Sequence, residues 1–377
     1  MKTAICKMLG IDFPLVAFSH CRDVVAAVSR AGGFGVLGVT GFTPEELDVE
    51  LRWIDDHIEG KPYGVDVLIP ENLAIRSEKG ITARALAERI PRGHKDFVRD
   101  LLGRYEVEPP EMEAPRRDMA PSVTPEEAMK RLEVAFRHPI RLIANALGVP
   151  PREMVDLGHQ HGVPVAALVG AKEHAVRQVE AGVDIIVAQG SEAGGHTGEV
   201  STLVLIPEVV RAVRRVRDVP VLAAGGIMTG RQMAACMVMG AAGVWTGSVW
   251  LATSESETTE IFREKMIAAR SRDTVRSKCR TGKYSRQLRS AWTDAWEGPG
   301  NPGSLPMPMQ SMLSEPALRA ADRAAAHGNA KARELVSYFV GQGVGLVETV
   351  RSTREVVKDF MEEFADALGD VAALGEE

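Results

Sequence analysis

Short runs rich in β-branched and aliphatic residues recur along the chain. Each is followed by a glycine or polar loop, then by a segment whose apolar positions repeat with the helical period. Alternation of this kind makes neighbouring strands parallel, because a crossover helix must return the chain to the start of the next strand. The pattern predicts strands near Leu15–Phe18, Gly35–Val39, Tyr63–Ile69, Arg141–Ala146, Val163–Val169, Asp184–Ala188, Val219–Ala223 and Gly243–Thr246. Helices are predicted at Asp23–Ala31, Pro44–Glu59, Pro125–Arg137, Pro151–His161, Ala171–Ala181, Leu203–Val216 and Gly230–Met239, with an eighth near Glu257–Ala269. Eight such units predict an α/β fold closed into a (β/α)8 TIM barrel rather than an open sheet.

Two regions exceed the barrel. Residues 71–122 read as an insertion after the third strand, with helical pieces at Ala83–Arg89 and Asp96–Tyr105 and then Pro109, Pro110, Pro115 and Pro121. From about Arg270 a basic, polar run extends through Arg289, followed by the Gly/Pro-rich Gly298–Pro308 and by helices near Glu315–Ala326 and Glu348–Leu368. The expected division is a barrel from 1–70 and 123–269 on which 330–377 packs, an insertion at 71–122, and a helical and loop extension at 270–329. Additions at a barrel's catalytic face act as lids or subunit contacts, or simply as solvated decoration.

Composition narrows the partners. A formal net charge of −6 argues against a nucleic-acid surface, which needs a concentrated excess of Lys and Arg. Cys6, Cys21, Cys236 and Cys279 lie far apart and form no metal or redox pair, so a reducing cytoplasm is the expected setting and no metal is expected. The start lacks a basic, apolar secretory pattern. Gln232–Thr253 is uncharged and long enough to span a bilayer, but Gly240, Gly243 and Gly247 divide it into a helix end, a turn and a strand; no membrane association is expected.

The candidate chemistry sits after the later strands. Val219–Ile227 ends a strand with Gly225 and Gly226, and Gly243–Ser248 ends the next with Gly247 and Ser248. On adjacent barrel strands these loops lie side by side, and backbone N–H groups without side chains can approach a phosphate closely. A single glycine there is more often a turn requirement; two such loops in consecutive units favour phosphate. The nominal GxGxxG at Gly33–Gly38 follows a helix and leads into a strand, the reverse of a dinucleotide fingerprint, so it predicts a turn. His196, in the glycine-rich loop after Asp184–Gln189, faces the ligand side of the barrel and is the candidate catalytic residue. His20 and Cys21 are adjacent in a loop with no orienting acid and are not read as a nucleophilic pair; Trp245 and Trp250 are read as core.

With these residues in view, the sequence resembles the nitronate monooxygenase family, formerly called 2-nitropropane dioxygenases, which includes FMN-dependent NAD(P)H:quinone and enoyl-acyl-carrier-protein reductases. The resemblance rests on Ala26–Gly35, Gln189–His196, Ala223–Gly226, Gly243–Ser248 and Gly341-Gln-Gly343. It implies FMN held by Gln189, Gly195, Gly225, Gly226, Gly247 and Ser248, with Ala17, Phe18, Asp66 and Ala224 completing the cofactor-binding set and His196 beside the substrate. Three positions depart from the family pattern. The turn after the first strand reads Val16–Arg22 and lacks the usual methionine, Asp66 stands where an asparagine is usual, and an apolar residue around Leu168 replaces a lysine found in some relatives.

Three functions compete. The leading expectation is oxidation of an alkyl nitronate with dioxygen. The second is NAD(P)H-driven reduction of a quinone or enoyl thioester, and the third a phosphate-binding barrel with no redox role. The expected partners are a small-molecule substrate, with NAD(P)H and a second copy of the chain, as a homodimer, standing as further candidates.

Overall fold

A computed structural model of the chain describes residues 3–69, 83–110 and 125–374. Eight parallel strands close on themselves: β1 (Leu15–Ser19), β2 (Phe34–Gly38), β3 (Tyr63–Val67), β4 (Ile143–Asn145), β5 (Val165–Val169), β6 (Ile185–Gln189), then, beyond the short β7 (Gly195–His196), β8 (Val221–Ala224) and β9 (Gly243–Thr246). The last pairs with the first, Val16 opposite Trp245, which completes the expected barrel. Every predicted barrel strand lies within two residues of an observed one.

Side-chain alternation decides what each strand residue faces. Leu15, Ala17, Leu37, Val65, Val67, Ile143, Val165, Ala167, Ile186, Ala188, Val221, Ala223 and Val244 point outward into one cluster with the surrounding helices. Val16, Phe34, Val36, Leu142, Ala144, Ala166, Ile185, Val187, Leu222, Ala224 and Trp245 point inward. Both faces are apolar, as a parallel barrel requires. The interior cluster also takes Ile5, Cys6 and Leu9 of α1 (Ala4–Leu9), which precedes β1 and plugs the amino-terminal end. The carboxyl end is therefore the open one.

Helices α2 (Arg22–Arg30) and α3 (Pro44–His57) follow the first two strands; α4 (Ala83–Glu88), α5 (Arg92–Arg104) and α6 (Pro125–Ala135) lie between β3 and β4. α7 (Arg152–Gln160), α8 (Lys172–Glu180), α9 (Thr202–Val213) and α10 (Gly230–Val238) continue the wall. The first of the predicted proline-rich stretch, Pro109 and Pro110, falls inside the described residues, whereas Pro115 and Pro121 fall outside them. No helix among the described residues is long and apolar enough to cross a membrane.

The chain after β9 differs from expectation in one respect. α11 (Glu260–Ala268) forms where the eighth helix is predicted, but its Phe262 and Met266 join a second core with α5, α12 (Ala291–Glu297), α13 (Met309–Ala326) and α14 (Ala332–Leu335). The wall position between α10 and α2 is taken by α15 (Thr353–Ala373), whose Phe360 stacks on Trp250 and whose Phe364 meets Phe13 edge-to-face. The Gly230 N–H donates to Glu363 Oε2 at 2.8 Å, and a Cβ at Gly230 would overlap the Phe360 carbonyl. The final helix thus seals the barrel seam.

A comparable close approach sets the other side of that seam. A Cβ on Gly35 would overlap the Val25 backbone, so β2 lies directly on α2. Gly35→Ala is expected to cost about 1–3 kcal/mol of stability, read as a lowered thermal midpoint. Gly41→Ala, whose added Cβ meets nothing within 4 Å, is expected to change it by less than about 0.5 kcal/mol. Equal midpoints for the two variants would refute this packing.

Candidate active site

The inward positions at the open end are Phe18, Gly38, Asp66, Leu168 and Gln189, fixed by alternation with the outward residues beside them. Phe18 stacks on Trp245 with ring centroids 6.4 Å apart. His20 stands edge-on to Phe18 and its Nδ1 lies 2.8 Å from the Gly38 carbonyl oxygen. His20 is exposed, yet the protein around its ring lowers its pKa by desolvation. Cys21 turns away, donating its thiol to the Glu255 carbonyl at 3.2 Å, and burial raises its pKa. A paired role for His20 and Cys21 has no geometry here. Ala17 is outward in the barrel wall, so only its main chain is available to a ligand.

Asp66 is 3% exposed and its Oδ1 has no hydrogen-bond partner among the described residues. Burial pushes its pKa up to about 7, against a weaker opposing bond from the Ala146 N–H. Since the folded pKa lies above the unfolded value near 4, the folded protein holds the extra proton between those two values. That contribution is complete below about pH 4 and is lost as pH rises towards 7. Asp66→Asn, which cannot ionise, is therefore expected to raise the thermal midpoint of the cofactor-free protein at pH 8 and to change it little at pH 4. The same increment at both pH values would show that burial of the charge is not the cause.

The two glycine loops come together at the end of β8 and β9, paired through Ala224 and Trp245. Gly225 and Gly226 have φ of 104° and 73°, a conformation only glycine adopts readily. After Gly247, Ser248–Ala252 forms a short 3-10 turn. The main-chain N–H groups of Gly225, Gly226, Gly247 and Ser248 have no acceptor among the described residues. All four residues are half-buried. Four donors at neighbouring strand ends form a set fitted to an anionic group.

The Gly341-Gln-Gly343 segment ties these loops to the β6 loop. Gly341 N–H donates to Ser248 Oγ at 2.8 Å and Gln342 N–H to the Glu192 carbonyl at 2.8 Å. A Cβ on Gly343 would lie 3.0 Å from Gly226 O, and one on Gly194 would lie 2.9 Å from Gly341 N. Glu192 accepts from Thr202 N at 2.9 Å at the start of α9, a favourable place for a carboxylate. Gly194 precedes β7, so a chain of contacts runs from Gly226 and Ser248 through Gly341–Gly343 to the segment that carries His196.

β7 is held from two sides. It pairs antiparallel with β11 (Ser285–Leu288), which pairs with β10 (Thr274–Ser277), and Gln189 Nε2 donates to the His196 carbonyl at 2.7 Å. The His196 Nε2 lies 2.8 Å from Thr281 Oγ1 in the β10–β11 turn. That hydroxyl also donates to Lys283 O at 3.2 Å and accepts from Lys283 N at 3.3 Å. With one proton on the hydroxyl, all three bonds form together only if His196 Nε2 carries its proton and donates it. Nδ1 is then the ring's proton acceptor. Desolvation, followed by the Lys283 charge, lowers the His196 pKa to about 4, so the ring is neutral near pH 7.

The turn is fixed from behind. Arg280 is buried, forks onto Glu315 at 2.7 and 3.1 Å, and donates to Ser337 O at 3.0 Å. Gln310 of α13 donates to Cys279 O at 2.7 Å. The extension after 270 therefore contributes Thr281 and Lys283 to the site, residues that the sequence pattern does not single out. The one signal for them is the Thr281-Gly282 turn between two four-residue strands.

Comparisons with known proteins bear on the family and the fold. The pattern of the family described as "Nitronate monooxygenase" matches residues 2–363. A Mycobacterium tuberculosis protein named "Putative monooxygenase" is 54% identical over 377 residues, covering 99% of each chain. A Staphylococcus aureus "Probable nitronate monooxygenase" is 28% identical, covering 92% of this chain and 93% of its own. Among solved structures, nitroalkane oxidase from Streptomyces ansochromogenes superposes with a TM-score of 0.79 at 25% identity, covering 98% of this chain and all of that one (100%). FabK from Thermotoga maritima superposes with a TM-score of 0.72 at 25% identity, covering 99% of both. The family match over nearly the whole chain, on a closed barrel whose open end carries these loops, makes this protein an oxidoreductase that belongs to the nitronate monooxygenase family.

Proposed function

We propose that this protein is an FMN-dependent nitronate monooxygenase, oxidising a small alkyl nitronate with dioxygen. The observation that carries the proposal is the set of N–H groups on Gly225, Gly226, Gly247 and Ser248 without an acceptor among the described residues, linked through the Gly341–Gly343 segment to the β6 loop that carries a neutral His196. The residues present fit FMN. These four donors match a phosphate, the inward Asp66 Oδ1 is unpartnered at the barrel mouth, and Phe18 offers a half-buried ring beside it.

A bound FMN would supply the electron-transfer chemistry between nitronate and dioxygen. The chain's own residues do the rest. The β8 and β9 loops hold the phosphate, Gln189 fixes the His196 main chain, and Thr281 fixes the ring so that Nδ1 takes up or returns a proton. Asp66, uncharged below its raised pKa, places no negative charge beside the cofactor.

The reading is tested on the purified protein. It should release FMN on denaturation, and anaerobic addition of an alkyl nitronate should bleach the bound flavin while NADH and NADPH do not. Bleaching by a reduced nicotinamide alone would move the protein to the quinone or enoyl-thioester reductases. A colourless protein that FMN cannot reconstitute would end the flavin reading.

A further inference from the structure

Lys283 follows Thr281 by two residues in the β10–β11 turn, and the Thr281 hydroxyl joins the Lys283 main chain to the His196 ring. Its ammonium charge reaches that ring. The other cations of the hairpin are occupied. Arg276 bonds Thr197 and faces Glu199 while lying over Tyr284, and Lys278 lies over the same ring. Arg280 is forked onto Glu315, and Arg286 bonds Ser191 O and Thr274 Oγ1. Lys283 is half-buried, yet its ammonium has neither ion pair nor hydrogen bond among the described residues.

Withdrawing a cation from water without a partner is unfavourable, and burial lowers the Lys283 pKa accordingly. No acid among the described residues relieves it; Glu192 is engaged by Thr202 and Glu199 faces Arg276. A neutral imidazole can exchange a proton but cannot balance a negative charge. The site thus has a proton-handling group and, beside it, a cation with nothing to hold.

We propose that Lys283 is the anion-recognising residue of this site, its ammonium pairing with a charged oxygen of a small oxyanionic substrate seated against His196. Charge recognition and proton handling are divided between two residues joined through Thr281. The assignment rests on the function proposed above only for what then happens to the substrate; binding of the anion is independent of it.

Nitrate, a planar and unreactive oxyanion, is the probe. Calorimetric titration of the native protein at low salt should give saturable binding. Lys283→Gln should weaken it about tenfold or more, as expected for loss of a charge-assisted hydrogen bond. Lys283→Arg should restore most of the affinity, and Lys278→Gln, a cation of the same hairpin lying over Tyr284, should leave it within about twofold. In nitronate turnover, Lys283→Gln should raise KM far more than it lowers kcat. Absent nitrate binding in the native protein, unchanged binding in Lys283→Gln, or equal loss in Lys283→Gln and Lys278→Gln would overturn the assignment. If the native protein binds nitrate through Lys283 but does not oxidise nitronates, the anion site stands and the function falls. If it oxidises them and Lys283→Gln has native KM and nitrate affinity, the reverse holds.

Discussion

Replacing His196 with Asn is expected to slow substrate-driven reduction of the bound flavin by about 10²–10⁴-fold, the range for loss of a positioned acid–base group, while FMN remains bound. The separation follows from where the contacts lie. Gln189 bonds the main-chain carbonyl of residue 196, and β7 pairs with β11 through backbone, so neither depends on the imidazole. The four acceptor-free N–H groups belong to other loops. What the variant loses is a ring nitrogen able to accept a proton. Its proton-accepting form exists above a pKa of about 4, so the native rate should be level near neutrality and fall as pH drops towards 4. Stopped-flow reduction across pH 4–8 checks both parts. Native reduction rates in the Asn variant, or an acid limb that survives in it, would remove His196 from the reaction.

The ease with which the barrel reads from sequence has a physical origin. Each strand is apolar on both faces, inward against the interior cluster and outward against the helices, so it appears as a continuous aliphatic run bounded by glycine or polar residues. The β10–β11 hairpin has no such signature. Ser277, Ser285, Arg286 and Gln287 are all buried, Arg286 bonding Ser191 across 95 residues of sequence and Gln287 bonding Cys279 within the hairpin, and a strand of buried polar residues reads as a solvated loop. For the same reason Thr281 and Lys283 are not visible beforehand: Thr281 meets His196 across 85 residues of sequence, and no local spacing encodes that contact. The seam helix fails differently. Both α11 and α15 carry helical periodicity, and which one fills the wall depends on the Gly230 contact with Phe360, a tertiary fact. Of the candidate site, the glycines and His196 were legible because strand ends fix their place. That Asp66 Oδ1 has no partner among the described residues depends on what surrounds it in the fold.

Gly247 permits a test that separates cofactor binding from folding. Its φ is −131°, outside the region reserved for glycine, and an added Cβ would meet nothing within 4 Å. Gly247→Val should therefore leave the cofactor-free protein with a thermal midpoint close to native. The added side chain is expected to keep a phosphate from the Gly247 and Ser248 N–H groups beside it. Each charge-assisted bond is worth about 1.5–3 kcal/mol, so loss of two should raise the FMN dissociation constant by about 100-fold or more. Gly225→Ala makes the contrast, because at φ 104° its Cβ is strained and would lie 2.9 Å from Thr202 Oγ1 and 3.0 Å from Gly190 O. That variant should lose stability and FMN together. Fluorescence titration of FMN beside thermal unfolding of the cofactor-free proteins distinguishes them. Native FMN affinity in Gly247→Val would mean that the phosphate, if bound at all, lies elsewhere on the barrel mouth.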